Sequence, residues 1–123
     1  MREKLIMKNT ITLTEIVNEA HTVAREAAAK FFNEKMNNID GGSCGFAWVD
    51  VYKFNGKKLD GRSKIAKGLK EAGVNKSYTG GFQIWNPSSF PVQNIDTLEA
   101  GARAAAEVFK KYGFEAYAGS RLD

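Results

Sequence analysis

Cysteine and histidine are almost missing from this chain, which has one of each, Cys44 and His21, in 123 residues, and only two prolines, Pro87 and Pro91. A lone cysteine closes no internal disulfide, so nothing here asks for an oxidising compartment. One Cys and one His also exclude most dedicated zinc sites, which draw their ligands mainly from those two residues. No run approaches the roughly 18 apolar residues that a membrane-spanning helix needs. The basic stretch Met1–Asn9, with Arg2, Lys4 and Lys8, lacks a long apolar segment and a small-residue cleavage site, so no signal peptide is expected. Phosphate-loop and dinucleotide fingerprints are missing too, because Gly41-Gly42 and Gly80-Gly81 are only dipeptides. No internal repeat or low-complexity segment interrupts the chain.

What is present suits one folded domain. Hydrophobic residues make up 43% and charged residues 26%, a balance that favours a packed core over disorder. The formal net charge is +4, with a pI near 9.2, which mildly favours an anionic partner. It falls short of the clustered Lys/Arg stripe of a dedicated DNA binder.

Residues 1–11 read as a flexible N-terminal arm, and residues 12–123 as a single α+β domain. Thr12-Leu13-Thr14-Glu15 has the form of a capping box, which opens a long helix reaching about Met36. Ile16, Ala20, Val23, Ala27 and Phe31 form its apolar stripe, widened by Val17, Ala24, Ala28 and Phe32. Cys44 to Tyr52, rich in aromatic and β-branched residues, reads as a central strand covered on both faces. Asn55-Gly56 turns the chain, and Asp60 or Ser63 caps a short helix with Ile65, Leu69 and Ala72 on its apolar face. Lys76–Tyr78 and Phe82–Trp85 supply one or two strands around Gly80-Gly81. Asp96-Thr97-Leu98-Glu99 opens another helix, to about Tyr112, with Gly113 as its stop. Phe114–Ala118 is a last short strand, followed by a tail over Gly119–Asp123. The expected fold is a two-layer sandwich: a small, mostly antiparallel sheet with a long N-terminal helix and one further long helix. The alanine-rich last helix and the wide stripe of the first predict a homodimer or higher oligomer.

No residue set reads as catalytic. His21 has no ligand or nucleophile at useful spacing and reads as structural. Cys44 lacks a neighbouring base and reads as a small buried hydrophobe. Asp50, inside an apolar strand, is expected to pair with a Lys or Arg. Asp50, Glu99 and His21 are the weak candidates an enzyme would have to use. The region from Tyr78 to Asp96 is richer. Tyr78, Phe82, Trp85 and Phe90 could stack a base, and Asn86, Gln93 and Asn94 could read its edge, while aromatics in strands also serve as ordinary core. Arg62, Arg103 and Arg121 are the candidate phosphate partners, since guanidinium binds phosphate in a bidentate fork.

Ser43-Cys44-Gly45-Phe46-Ala47-Trp48-Val49, Lys76-Ser77-Tyr78-Thr79-Gly80-Gly81, Trp85-Asn86-Pro87-Ser88 and Ala116-Tyr117-Ala118-Gly119-Ser120-Arg121-Leu122-Asp123 together resemble small phage-encoded proteins of the Thoeris anti-defence type. The resemblance covers about residues 43–123. It implies a non-catalytic sponge, without cofactor, in the cytoplasm of an infected bacterial host. Such proteins bind and sequester a cyclic ADP-ribose isomer, made as a signal by a bacterial TIR-domain immune enzyme. Their pockets lie at a dimer interface, where an aromatic ring stacks the adenine and arginines meet the pyrophosphate. The resemblance carries those roles to Phe82, Asn94, Arg103 and Arg121, with Trp85, Asn86 and Arg62 beside them. The alternative is a small protein- or nucleic-acid-interaction module with no small-molecule ligand.

Overall fold

The computed structural model describes residues 6–7, 11–59, 62–77 and 80–123. Of the sequence expectations, Asp60 as a cap, Tyr78 as a stacking ring and most of the N-terminal arm lie outside them. Within that arm, β1 (Ile6–Met7) pairs antiparallel with β2 (Ile11–Thr12). The remaining elements are α1 (Leu13–Lys35), β3 (Gly45–Phe54), β4 (Lys57–Lys58), α2 (Lys64–Glu71), β5 (Asn75–Lys76), β6 (Phe82–Trp85), α3 (Ile95–Lys111) and β7 (Phe114–Leu122). The fold is α+β, a five-stranded antiparallel sheet with two long helices, as the sequence predicts.

Local chemistry sets the helix starts. Thr12 accepts from the Glu15 backbone N–H while Glu15 reaches back to the Thr12 N–H, a complete capping box for α1. Ser63 caps α2 by accepting from Ala66 N. α3 starts earlier than its sequence suggests. Its cap is Asn94, whose Oδ1 accepts from both the Thr97 N–H and the Thr97 hydroxyl at 2.9 Å. Asp96 falls inside the first turn, where its charge complements the helix dipole.

β3 organises the sheet. β7 runs along one of its edges for the whole length, while β6 and then β4 share the other. β7 is longer than expected. The supposed tail is strand, because Gly119 to Leu122 pair with Trp48 to Gly45. β3 is also not covered on both faces. Ala47, Val49 and Val51 are 1% exposed or less and join Phe82, Ile84, Phe109 and Ala116 in the core, whereas Phe46 is 38% exposed. The helices pack on one face only, and the alternation of a half-open antiparallel strand results.

α1 and α3 approach closely through small residues. Ala20, Ala24 and Ala28 of α1 and Ala102, Ala105 and Ala106 of α3 are buried. A Cβ on Gly101 would lie 3.0 Å from the Ala24 carbonyl oxygen and 2.8 Å from Ser88 Cβ. At the far end of this contact, Glu19 accepts from the Tyr112 hydroxyl at 2.6 Å and from the Lys111 ammonium. Lys111 first, and Tyr112 second, hold the Glu19 carboxyl below its ordinary pKa.

Two stability predictions follow from this interface. In an open helix Gly→Ala stabilises by up to about 1 kcal/mol. Gly101→Ala should instead lower the urea midpoint, because overpacking against backbone costs about 1–3 kcal/mol; a raised midpoint would mean that the helices can separate freely. The lowered Glu19 pKa makes a contribution that is present above the ordinary glutamate value and lost as pH falls through the folded-state value. The stability difference between the native chain and Glu19→Gln should therefore exist at neutral pH and vanish in acid. A difference that survived acidification would show that the carboxylate charge is not its source.

Candidate functional site

The uncovered face of the sheet carries the side chains that the core does not use. β3 contributes Phe46, Trp48 and Asp50, β6 contributes Gln83 and Trp85, and β7 contributes Glu115, Tyr117 and Arg121, all brought level by strand register. The β3 bulge between Val51 and Lys53 brings Lys53 opposite Glu115, with the two charges 3.9 Å apart. One end of this face is aromatic and the other is basic.

At the aromatic end, Trp85 is 49% exposed and is braced from two sides. Its ring centroid lies 5.1 Å from Trp48 and 5.9 Å from Phe46, the latter edge-on. The Arg121 guanidinium sits 5.3 Å over the Phe46 ring, so it is held in place while remaining exposed. Trp48 lies flat because β7 has no side chain opposite it: a Cβ on Gly119 would come within 2.5 Å of the indole nitrogen. That indole donates to Asp50 Oδ2 at 3.0 Å, and Gln83 Nε2 donates to Asp50 Oδ1 at 2.9 Å. Asp50 is therefore satisfied by two neutral donors on its own sheet face, not by the Lys or Arg expected of it. It aligns the platform by fixing Trp48 and Gln83.

Towards the other end, the Tyr52 and Tyr117 rings lie 6.0 Å apart. A hydrogen bond to the neighbouring Glu115 carboxylate, and then the repulsion that ionisation would bring, hold the Tyr117 hydroxyl above its ordinary pKa. Beyond them a cleft of about 370 Å³ is lined by Tyr52, Lys53, Lys58, Leu59, Lys76, Gly80, Gly81, Phe82 and Glu115.

The residues singled out from sequence separate into groups. Trp85, Asn86 and Arg121 come together at the aromatic end, where the Asn86 backbone N–H donates to Ala47 O. Phe82 lines the cleft, but at 1% exposure its ring belongs to the core and presents no open stacking face. Asn94 is 2% exposed and its amide is engaged at both ends: Oδ1 caps α3, and Nδ2 donates to Gly41 O at 2.8 Å. The helix cap takes the groups that base recognition would need. Arg103 is paired to Glu99 at 2.8 Å, and Glu99 also accepts from Ser120 on the helix side of β7. Arg62 is exposed and lies just before α2.

Three further readings resolve here. His21 is structural, as expected: Nδ1 lies 2.8 Å from the Pro87 carbonyl oxygen, which places the proton on that nitrogen. Phe90 packs edge-on against Phe32 and under Arg25, so the loop from Asn86 to Val92 is held on α1. Cys44 is exposed, not buried, with its thiol 3.6 Å from Gln93 Oε1. Sequence reasoning passed over Phe46, Trp48 and the lysines of the cleft. The two aromatics were signalled by their alternation with Ala47 and Val49; the lysines, from separate elements, carried no signal. Among the described residues no group of three or more His, Cys, Asp or Glu could hold a metal ion. Among them, too, no helix is long and apolar enough to cross a membrane. No family model, curated protein or solved structure matches the chain.

The Gly119 contact generates a spectroscopic prediction. Gly119→Ala should push the Trp48 indole off β7 and break its bond to Asp50. The Trp48 indole N–H resonance should move and tryptophan emission should change, with helix content by circular dichroism intact. An unmoved indole resonance would show that Gly119 does not set the ring.

Proposed function

We propose that this chain is a non-catalytic nucleotide-binding protein of the phage anti-defence kind, which sequesters a cyclic ADP-ribose isomer made by a bacterial TIR-domain immune enzyme. The observation that carries the reading is the exposed Trp85, braced by Phe46 and Trp48, with Arg121 held beside it. A flat, half-exposed indole offers a stacking surface to adenine, and an exposed guanidinium offers a bidentate partner to the pyrophosphate. Rigid bracing lowers the ordering cost of binding, because the rings are already placed before the ligand arrives. The net charge of +4 favours an anionic ligand over a neutral one. A homodimer or higher oligomer, with pockets completed by a second copy, and a place in the host cytoplasm belong to the same reading.

The exposed aromatic sheet face also supports a second reading, as a single-strand nucleic-acid module that stacks bases on a sheet. That alternative predicts affinity that falls steeply with salt.

One experiment separates the readings. The protein is incubated with cyclic ADP-ribose isomers, cyclic oligonucleotides and single-stranded RNA, freed of unbound ligand, heated and analysed by liquid chromatography. Intact cyclic ADP-ribose isomer in the supernatant is the expected outcome. A new product would make the chain an enzyme, and retention of RNA alone would favour the module. Trp85→Ala should weaken retention by about 1–3 kcal/mol, the usual worth of one base–aromatic stack. Arg121→Ala should weaken it through the phosphates. Undiminished binding by both variants, measured by calorimetry, would remove the site from the aromatic end.

A further inference from the structure

We propose that the cleft at the basic end of the sheet is a separate binding site, for a small molecule that carries a phosphate or diphosphate on a flat or apolar body. It goes beyond the nucleotide reading above and uses none of the residues of the aromatic end.

The cleft exists because β3 changes partners. β3 pairs with β6 as far as Val51 and with β4 only from Lys53 on, so Tyr52 faces a gap between two strands. Leu59, whose N–H donates to Tyr52 O, closes one side. The turn before β6 closes the other. Gly80 and Gly81 have φ of 100° and 72°, in the left-handed region that glycine adopts freely. A side chain at Gly81 would collide with the Val51 carbonyl oxygen and lie 3.1 Å from the Tyr52 ring, so only glycine lets this wall fold against β3. At Gly80 and Gly81 the cleft is lined by backbone, which a ligand can meet directly. The volume of about 370 Å³ lies within the usual range for small-ligand pockets, roughly 300–1,000 Å³.

The charge around this space is one-sided. Among the described residues Lys53 from β3, Lys58 from β4 and Lys76 from β5 line it, opposed by Glu115. Among the described residues Glu115 pairs with Lys53, while Lys58 and Lys76 have no ion pair. Ordinary surface lysines point apart into water. Here three separate strands bring lysines to the lining of one cleft, an excess of positive charge that an anion would neutralise. Below them, the half-buried Tyr52 and Leu59 form an apolar floor. Cations on the rim and an apolar floor fit a phosphate joined to a ring or short hydrocarbon better than a bare inorganic ion, with lysine acting as a point-charge phosphate partner.

Nuclear magnetic resonance on the full, uniformly ¹⁵N-labelled chain tests this, with inorganic pyrophosphate and adenosine monophosphate as separate probes. Both should shift the amide signals of Tyr52, Leu59, Gly80 and Gly81 saturably, and adenosine monophosphate should bind more tightly because it also uses the floor. The Lys58→Ala/Lys76→Ala double variant should lose at least about tenfold in affinity for each probe, about 1.4 kcal/mol, and Lys58→Arg/Lys76→Arg should retain it. Unchanged α1 amide signals confirm that the variants fold. Pyrophosphate binding that leaves these four amides still, or that survives in the double alanine variant, overturns the proposal. Shifts confined to the Trp48 and Trp85 indole signals also overturn it, and leave the aromatic-end reading standing.

Discussion

The rest of the molecule depends on β3 being paired along both edges but covered on one face. Pairing along all of one edge and part of the other satisfies most of its backbone N–H and C=O groups, so the strand can lie in the middle of the sheet. Coverage by helices on one face alone forces its side chains to divide. Ala47, Val49 and Val51 go to the core, and Phe46, Trp48 and Asp50 to the open face. A one-residue slip of register would bury Asp50 and expose Val49, so the burial of three small apolar side chains also fixes the aromatic platform. The single irregularity in the ladder, at Tyr52, coincides with the change from β6 to β4 and opens the cleft. Core packing and both candidate sites therefore follow from one strand.

The helical layer gains its precision from small residues and from polar groups held in hydrogen bonds. Alanines on α1 and α3 let the two backbones come together, and Gly101 sets how close they come. Asp40 ties the long loop after α1 to the start of α3, accepting from Gln93 N and Asn94 N at 3.0 Å each. Asn94 then joins that loop to the helix through its side chain. These contacts fasten the segment before β3 to the segment before α3, with Gly45 N donating to Gln93 O. A buried amide engaged through both its oxygen and its nitrogen stabilises a fold and is a poor ligand contact, since recruiting it would leave the helix cap unsatisfied.

Signals confined to neighbouring residues were legible in the sequence, and those created by tertiary pairing were not. Thr12 and Glu15 announced α1 because a capping box is complete within four residues. The start of α3 was misplaced because Asn94 and Asp96 are both good caps. The choice between them was made by Asp40 and Gly41, fifty residues away in sequence. The C-terminal residues read as a tail because Gly119 and Ser120 weaken a strand pattern, yet their partners on β3 need a small residue opposite Trp48. Phe46 and Trp48 looked buried because large aromatics usually are. Trp85 and Arg121 stood out in the sequence because aromatic and guanidinium chemistry is visible in a single residue, and the fold brings both to one end of the open face. The cleft was invisible because its lysines are ordinary one at a time and gain meaning only when three strands converge.

An open aromatic face is costly for a protein of this size. Trp85 and Tyr117 are each 49% exposed, Leu122 is 66% exposed, and every apolar square ångström left in water forgoes about 25 cal/mol. A chain optimised only for stability would place threonine or lysine at these outward strand positions. Here the exposed rings are also fixed: Trp48 against Gly119, Trp85 between Phe46 and Trp48, and Tyr117 against Tyr52. Fixing them spends side-chain freedom in the free protein, a cost that otherwise falls at the moment of binding. Asp50 shows the same logic, as a half-buried carboxylate whose donors, Trp48 and Gln83, are themselves members of the exposed face. Its contribution is to hold surface side chains in a set geometry.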